Sequence, residues 1–325
     1  MHLPSTQAPC VHLNPEQLQS IEDQYACLAF DAMGCRFEIL LDVSRSAMNR
    51  SDCCAIAEEM RTLVLDWHQR LSIFEPTSIA SLINRSIAGV EILLDSEMYA
   101  LCALCDKLRL CTGGMFNVAA GTLMHSHGFR SESGPQHTLD DLDLQSSFIL
   151  DERRQTITKL DDRISLDFGA IAKGFILDLI RDELEHYGID HAFIHGGTSS
   201  ILAIGHDHRN QSWAAEVDSD HRLEISGLAV GVSETQSRTV LYGKQEFGHI
   251  MDPRSMCPAD KQIFKSICVH HSAAVADAYS TACCASPDLI NQLCVDQCTM
   301  IAFSDTPHPV IHDPLGVVRQ SSKEV

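Results

Sequence analysis

Apolar positions near the start of the chain alternate as expected for a strand and then recur at helical spacing. Residues 35–43 place Phe37, Ile39 and Leu41 on one strand face, and Met33-Gly34 predicts a turn just before them. A helix is predicted to follow, capped by Asn49 or Ser51. Its apolar positions recur at steps of three and four residues, at Ile56, Met60, Leu63, Val64 and Trp67.

The middle of the chain carries the clearest succession of elements. A helix is predicted from about Ser96 until Gly113-Gly114 ends it. Residues 164–168 predict a strand, Gly169-Ala170 a tight turn, and residues 171–187 an amphipathic helix ended by Gly188. Two more strands are predicted at residues 192–194 and 201–204, so the order indicates an α/β-type unit.

Composition favours a single folded body between two loosely held ends. The chain has 325 residues, of which 45% are apolar and 21% charged, which is enough to bury a large core. Residues 1–24 and 305–325 are polar and aperiodic, so both are predicted to be poorly ordered. Residues 25–304 are predicted to form one catalytic domain.

The charge balance excludes several classes of partner. A formal net charge of -20 repels nucleic acid and anionic membrane surfaces. A phosphate-bearing small ligand would need a local Lys or Arg, a helix N-terminus or a bound cation. No signal peptide is visible near Met1, and no apolar run reaches roughly 18 residues, so the sequence predicts a cytoplasmic protein without a membrane span.

Cysteine and histidine spacing does not favour a zinc or dehydrogenase site. The chain has 14 cysteines, and Cys102 and Cys105 form a C-x-x-C, but they lie among leucines within a predicted helix, so buried thiols are the expected state. The histidine pairs have no acidic partner at H-E-x-x-H spacing. The G-x-G-x-x-G dinucleotide fingerprint and the glycine-rich loop of NTPases are also absent from the sequence.

Three segments carry candidate chemistry. The junction of residues 167–174 places backbone N–H groups and Lys173 at a helix start, suitable for an anion or for an ordinary helix entry. Asp277 and Thr281 stand at i and i+4 in a predicted helix over residues 273–285, where they would share Mg²⁺ or simply bond to solvent and to their own helix. His249 lies in a turn enforced by Pro253, where it would act as a general base or only structurally.

Taken together, short motifs over roughly residues 28 to 290 resemble those of the ApbE family of FAD:protein FMN transferases. They occur in this order: Met33-Gly34, Leu71-Ser72-Ile73-Phe74 with Ser78 and Asn84, Gly113-Gly114-Met115-Phe116, Gly128-Phe129, residues 170–178, Gly196-Gly197, residues 249–254, and Ala276-Asp277 with Thr281. Several of these motifs are commonplace singly, so the resemblance depends on their order.

The resemblance implies an α+β fold, a two-lobed and T-fold-like mixed α/β architecture with FAD in the cleft between the lobes. It implies that the carbonyl of Ala170, Asp277 and Thr281 bind Mg²⁺, that Lys173 supports this site, and that Asp178 braces the helix. The implied catalytic residues are His249, Lys173 and Asp277. The implied FAD-binding residues are Met33, Phe74, Phe116, Asn117, Ala170, Lys173, Ser233, His249 and Ile250.

The implied reaction is Mg²⁺-dependent transfer of the FMN half of FAD to a Ser or Thr hydroxyl of an acceptor flavoprotein, with release of AMP. The chain is expected to be a monomer or a homodimer. Two alternatives remain open, namely hydrolysis of FAD to FMN and AMP, and FAD binding without catalysis. Binding without catalysis is suggested by four departures from the family pattern. The family has Asp at the position of Asn117 and an acidic residue at the position of Thr198. It has Gly at the positions of Glu234 and Met256.

Overall fold

A computed structural model describes residues 24–129, 139–235, 239–242, 245–259, 262–293 and 297–321. Seven α-helices lie among these residues: α1 (Arg50–Leu71), α2 (Ile79–Arg85), α3 (Ser96–Cys111), α4 (Gly121–Ser126), α5 (Ala172–His186), α6 (Ala273–Ala285) and α7 (Leu289–Leu293). A short 3-10 helix, Val118–Ala120, precedes α4.

Eighteen strands lie in the same part of the chain. The first nine are β1 (Tyr25–Ala32), β2 (Cys35–Asp42), β3 (Glu91–Leu93), β4 (Phe148–Asp151), β5 (Thr156–Lys159), β6 (Ala192–Gly196), β7 (Ser200–Ile204), β8 (Trp213–Glu216) and β9 (His221–Ile225). The others are β10 (Leu228–Glu234), β11 (Thr239–Tyr242), β12 (Gln245–Gly248), β13 (Met251–Asp252), β14 (Cys257–Pro258), β15 (Lys265–His270), β16 (Thr299–Phe303), β17 (Val310–His312) and β18 (Val318–Gln320).

An eight-stranded antiparallel sheet forms the centre of the molecule, in the order β1-β2-β6-β7-β10-β15-β16-β17. Helices α1, α5 and α6 pack on one face, where the buried side chains include Phe37, Ile39 and Leu41 as the alternation in β2 predicts. The other face forms a smaller core with the sheet β18-β9-β8. The fold is therefore mixed α/β, as predicted, and its central sheet is antiparallel, while the division into two lobes stays a prediction.

Most predicted helices begin and end close to the predicted residues. The side chain of Asn49 accepts a hydrogen bond from the Asp52 N–H and caps α1, and Asp95 caps α3 in the same way through Met98. Helix α6 has the predicted bounds. None of the helices among the described residues is long and apolar enough to span a bilayer. The twelve cysteines in this part of the chain are free thiols, and Cys102 and Cys105 are buried as predicted, whereas Cys27, Cys54, Cys111 and Cys257 are exposed.

Two predictions of secondary structure are wrong. Residues 164–168 are extended but belong to no sheet, and the neighbouring strands β6 and β7 pair antiparallel, so the predicted α/β-type unit is absent there. The C-terminal tail also is not loose over residues 310–320, because β17 extends the central sheet and β18 pairs with β9. Residues 1–23 of the predicted N-terminal tail lie outside the described residues.

Candidate functional site

The segment before α5 is held in place by side-chain and backbone hydrogen bonds that replace a strand ladder. The amide of Asn84 donates to the Leu166 carbonyl at 2.9 Å and accepts from the Leu166 N–H at 2.7 Å. The backbone N–H of Asp167 donates to the Val118 carbonyl at 2.8 Å. These bonds satisfy the extended backbone without a neighbouring strand and fix the approach of the chain to the turn at Gly169-Ala170.

The first turn of α5 meets the carboxylate of Asp277. A helix N-terminus leaves its first N–H groups without partners in the helix. The N–H of Gly174 donates instead to Asp277 Oδ2 at 2.7 Å, although the two residues are 103 positions apart. The hydroxyl of Ser200 donates to Oδ1 at 2.8 Å and to Oδ2 at 3.0 Å. Asp277 is only 6% exposed, so these groups replace most of its hydration.

Two glycines allow α6 to approach this closely. A Cβ at Gly174 would lie 2.2 Å from the Ala273 carbonyl oxygen, so a side chain there would push α5 and α6 apart. A Cβ at Gly231 would lie 2.5 Å from the backbone nitrogen of Asp277. Only a residue without a side chain fits at either position, and the carboxylate of Asp277 is thereby brought to the start of α5.

Asp178, one turn after Gly174 on α5, joins the same two helices. Its carboxylate accepts from the hydroxyl of Ser272 at 2.6 Å and from the N–H groups of Ala273 and Ala274 at 2.8 and 3.0 Å. It therefore occupies the N-terminus of α6, where a negative charge is favoured by the orphan N–H groups and the helix dipole. The bracing that the resemblance implies for this aspartate is present as a clamp between α5 and α6.

Electrostatics make Asp277 unusual among the acidic residues. Burial raises the pKa of its carboxyl to about 7, against the opposing effects of the Lys173 charge and of the hydrogen bonds from Ser200 and Gly174. The charge of Asp178 adds to the rise in pKa. The stem of Lys173 passes Gly196, whose Cβ would lie 3.4 Å from Lys173 Cδ. A further positive charge beside Asp277 would favour its ionised form.

Oxygen atoms of Ala170 and Thr281 complete the predicted donor set. In a continuous helix, the Gly174 N–H would donate to the Ala170 carbonyl. Here the Gly174 N–H donates to Asp277, and no other N–H of the described residues donates to the Ala170 carbonyl. The Thr281 hydroxyl donates to the Asp277 carbonyl of its own helix at 3.1 Å, which is the alternative to metal binding given by the sequence. It also contacts the Ser233 hydroxyl at 3.0 Å. It keeps acceptor capacity for a cation.

This set of donors fits Mg²⁺ better than zinc. Mg²⁺ takes oxygen ligands, usually with only one or two carboxylates, and leaves its other positions to water and phosphate. One carboxylate, one carbonyl and one hydroxyl satisfy that preference. Over the described ranges, no group of three or more His, Cys, Asp or Glu side chains is placed to hold a metal ion.

The predicted flavin side begins at the β1–β2 hairpin. Met33 and Gly34 have φ of 52° and 73°, the combination that a two-residue type I′ turn requires, and Met33 is strained because it carries a side chain. A cavity of about 340 Å³ adjoins this turn; its lining is Asp31, Ala32, Gly34, Cys35, Arg36 and His68. The Gly197 N–H donates to the Arg36 carbonyl at 2.8 Å and ties the hairpin to the turn beside Lys173.

Three of the residues implied to bind FAD have buried side chains. Phe116 and Ile250 belong to the hydrophobic core and have almost no free surface for a ligand. Asn117 is 6% exposed, and its amide donates to the Leu144 carbonyl at 2.8 Å and accepts from the Ala119 N–H at 2.9 Å. By contrast, Phe74 is 68% exposed and its ring is free to contact a ligand.

The predicted base, His249, lies between strands β12 and β13. His249 is half-buried, and the strand β13 that follows it pairs with β14 through a turn closed by the Arg254 N–H and Asp252 Oδ1 at 2.8 Å. Arg254 Nη2 lies 3.4 Å from the Cβ position of Gly113, so this turn meets the end of α3. Met256 has φ of 59°, which is the conformation that the glycine expected from the family pattern adopts without strain.

Glu234, another departure from the pattern, has a structural partner. It lies opposite Lys265 in the β10–β15 pair, with Oε1 3.7 Å from the Lys265 ammonium.

Ser200 is a site residue that the sequence did not predict. Its position in the sequence could have indicated this role, because Ser200 alternates with Leu202 and Ile204 on one buried strand face. A polar group on a buried face needs a specific hydrogen-bond partner.

Comparisons with known proteins identify the family of the chain. A family model described as the ApbE family matches residues 33–299. The chain is 25% identical over 266 residues to the FAD:protein FMN transferase of Rhodobacter capsulatus, covering 76% of this chain and 50% of that protein. It is also 25% identical over 238 residues to the FAD:protein FMN transferase of Klebsiella pneumoniae (strain 342), covering 70% of this chain and 74% of the relative. The chain thus spans half the length of the Rhodobacter relative.

Solved structures show the same fold. The crystal structure of the ApbE protein from Thermotoga maritima superposes with a TM-score of 0.75 at 20% identity, covering 92% of this chain and 97% of that one. The apo form of the Pseudomonas stutzeri flavinyl transferase ApbE gives a TM-score of 0.76 at 18% identity, covering 89% and 94% of the two chains. At these identities the similarity establishes the fold.

Proposed function

Because the chain belongs to the ApbE family, we propose that it is an enzyme that transfers the FMN half of FAD to a Ser or Thr hydroxyl of an acceptor flavoprotein and releases AMP. The observation that carries this proposal is the meeting of Gly174 and Ser200 with the buried carboxylate of Asp277. Lys173 lies on the same first turn of α5. The names of the two bacterial relatives support the same activity.

The diphosphate of FAD is proposed to lie at the start of α5. Lys173 supplies a positive charge there in a protein whose net charge is -20, and the helix N-terminus favours an anion. The carbonyl of Ala170, Asp277 and Thr281 would hold Mg²⁺. When bound, this ion supplies positive charge to the diphosphate oxygens and stabilises the charge that develops during transfer.

The reaction requires an oxygen nucleophile and a proton acceptor. The acceptor hydroxyl oxygen forms a bond to the FMN phosphorus, the bond from that phosphorus to the bridging oxygen breaks, and AMP leaves with that oxygen. We assign His249 as the base that takes the hydroxyl proton, and Lys173 as a group that balances the charge on the phosphates. Met33, Phe74 and Ser233 are the proposed side-chain contacts to FAD.

The test is incubation of the purified chain with FAD and Mg²⁺, with and without a candidate acceptor flavoprotein. AMP, free FMN and flavinylated acceptor are measured by chromatography and mass spectrometry. We expect AMP and flavinylated acceptor in equal amounts, and neither product in EDTA. AMP and FMN formed equally well without acceptor would identify a hydrolase, and intact FAD under all conditions would identify a binding protein, so either result would overturn the proposal.

A variant at the site makes this test specific. Asp277→Ala removes the carboxylate from the proposed metal site and is expected to abolish Mg²⁺-dependent AMP release while the chain stays folded. Asp182→Ala, which removes an exposed carboxylate on the same helix as Lys173, is the matched control and should retain activity. Undiminished activity of Asp277→Ala at the usual Mg²⁺ concentration would contradict the assignment.

A further inference from the structure

Ser200 is a buried serine whose hydroxyl contacts both oxygens of the Asp277 carboxylate, at 2.8 and 3.0 Å. The residue is 1% exposed and begins β7, directly after the turn that follows Gly196 at the end of β6. We propose that Ser200 is a positioning residue that fixes the orientation of the Asp277 carboxylate for Mg²⁺. This inference rests on the proposed function, because it concerns the same metal site.

The physical reason is the freedom of an aspartate side chain. Rotation of a carboxylate about its last carbon–carbon bond is broad, because a torsion between sp³ and sp² atoms has no sharp staggered minima. The hydrogen bond from the Gly174 N–H holds one oxygen, Oδ2, and leaves the plane of the group free to turn. A second donor that reaches both oxygens removes this freedom, and among the described residues Ser200 is the side chain that supplies it.

The surrounding packing brings Ser200 to the carboxylate. Ser200 pairs with Gly231 of β10, and a Cβ at Gly231 would lie 2.5 Å from the Asp277 nitrogen. The missing side chain at Gly231 therefore lets α6 come within hydrogen-bond distance of β7. On its other side Ser200 pairs with Gly196, which lies against the stem of Lys173. The serine is thus between the proposed lysine and the proposed metal ligand.

A positioning role predicts an effect on metal affinity that exceeds any effect on stability. Partners that orient metal ligands typically change metal affinity by about 10- to 100-fold when they are removed. We expect Ser200→Ala to raise both the Mg²⁺ dissociation constant and the Mg²⁺ concentration for half-maximal AMP release by roughly this factor. The rate at saturating Mg²⁺ should change less, because the carboxylate itself is retained.

The experiment measures Mg²⁺ binding directly by titration calorimetry on the full chain, followed by AMP release as a function of Mg²⁺. Ser200→Thr keeps the hydroxyl and should restore the affinity. Ser266→Ala is the control, because Ser266 is equally buried but its hydroxyl donates to the Ser280 carbonyl instead of to the carboxylate. The melting temperature of each variant is measured without Mg²⁺ to separate folding from metal binding.

The outcomes distinguish this inference from the proposed function. Wild-type Mg²⁺ affinity in Ser200→Ala would overturn the positioning role while the transferase proposal stands, and so would tighter binding, which would show that the serine competes with the metal. Equal losses of affinity in Ser200→Ala and Ser266→Ala would show a structural effect and would also overturn it. Absence of both Mg²⁺ binding and AMP release in the wild-type chain would instead defeat the proposed function.

Discussion

The backbone N–H of Gly174 and the carboxylate of Asp277 are joined by a 2.7 Å hydrogen bond that connects the first turn of α5 with α6. This bond occupies a donor that a continuous helix would direct to the carbonyl of Ala170. The same contact therefore holds the proposed metal ligand Asp277, and within the described part of the chain it leaves the Ala170 carbonyl without a backbone N–H donor.

Replacing Gly174 with Ala should disturb both the fold and the site. A methyl group at this position would lie 2.2 Å from the Ala273 carbonyl oxygen, a backbone atom that cannot move without shifting α6. Alanine normally stabilises a helix relative to glycine, but overpacking should dominate and destabilise the protein by about 1–3 kcal/mol. Urea unfolding measures the stability, and calorimetry measures the accompanying loss of Mg²⁺ affinity.

Gly188→Ala is the control for this substitution. It adds a methyl group where no atom lies within 4 Å, although its φ of 71° gives the variant a backbone cost of its own, about 1–2 kcal/mol. Mg²⁺ affinity should therefore be unchanged in the control. If Gly174→Ala also binds Mg²⁺ like the wild-type chain, the contact between α5 and Asp277 has no bearing on the site.

Removal of the imidazole by His249→Ala should lower turnover far more than FAD binding. A general base typically contributes about 10²- to 10⁴-fold to the rate, and its contribution is made in the transition state. Steady-state kinetics give the turnover number, and flavin fluorescence gives the FAD dissociation constant. His308→Ala, which truncates an exposed histidine, should change neither quantity. Weaker FAD binding at unchanged turnover would remove His249 from the proposed chemistry.

Restoring the family aspartate by Asn117→Asp should destabilise the protein. The Asn117 amide donates to the Leu144 carbonyl at 2.8 Å, and a carboxylate cannot make this bond. A buried carbonyl would lose its donor and face a negative charge, at a cost of about 1–3 kcal/mol. Urea unfolding at pH 7 measures the change, with the exposed Asn291→Asp as the control for added charge. Unchanged stability would mean that this amide has no structural role.

The C-terminal strands should lose stability in acid through Asp313. Burial alone would raise the pKa of this carboxyl, but hydrogen bonds from the Thr299 hydroxyl and the backbone N–H groups of Val317 and Val318 outweigh it and lower the pKa below 3.8. A carboxyl with a depressed folded-state pKa stabilises the fold above its unfolded pKa. That contribution is lost as the pH falls through the folded-state value.

Asp313→Asn should therefore be less stable than the wild-type chain at pH 7, by about 1–3 kcal/mol, since hydrogen bonds to a charged group are lost. The difference should begin to shrink as the pH falls below about 4, where the carboxyl becomes protonated in the unfolded chain, and should be lost as the pH falls through the depressed folded-state pKa. Urea unfolding at several pH values measures it, and the exposed Asp305→Asn is the control. A difference independent of pH would show that the charge of Asp313 does not contribute.

The sequence predicted the residues of the helices better than those of the sheets. The bounds of α6 and the cap of α1 follow from spacing and capping within a few residues, so local physical rules suffice. Residues 164–168 were wrongly predicted as a strand because their alternation is that of a strand, while their hydrogen bonds go to the distant Asn84. The short strands β17 and β18 were missed because three residues give too little periodicity.

By itself, the sequence determined that Asp277 and Thr281 lie one helical turn apart, that Lys173 lies in the first turn of a helix, and that Met33-Gly34 turns between two strands. These relationships depend on bonds and dihedral angles within a few residues. Only the tertiary structure decided that Gly174 and Ser200 meet Asp277 and that Phe116, Asn117 and Ile250 face inward. These contacts depend on how segments that are far apart along the chain pack together. A local pattern of residues does not specify which distant segment it will contact.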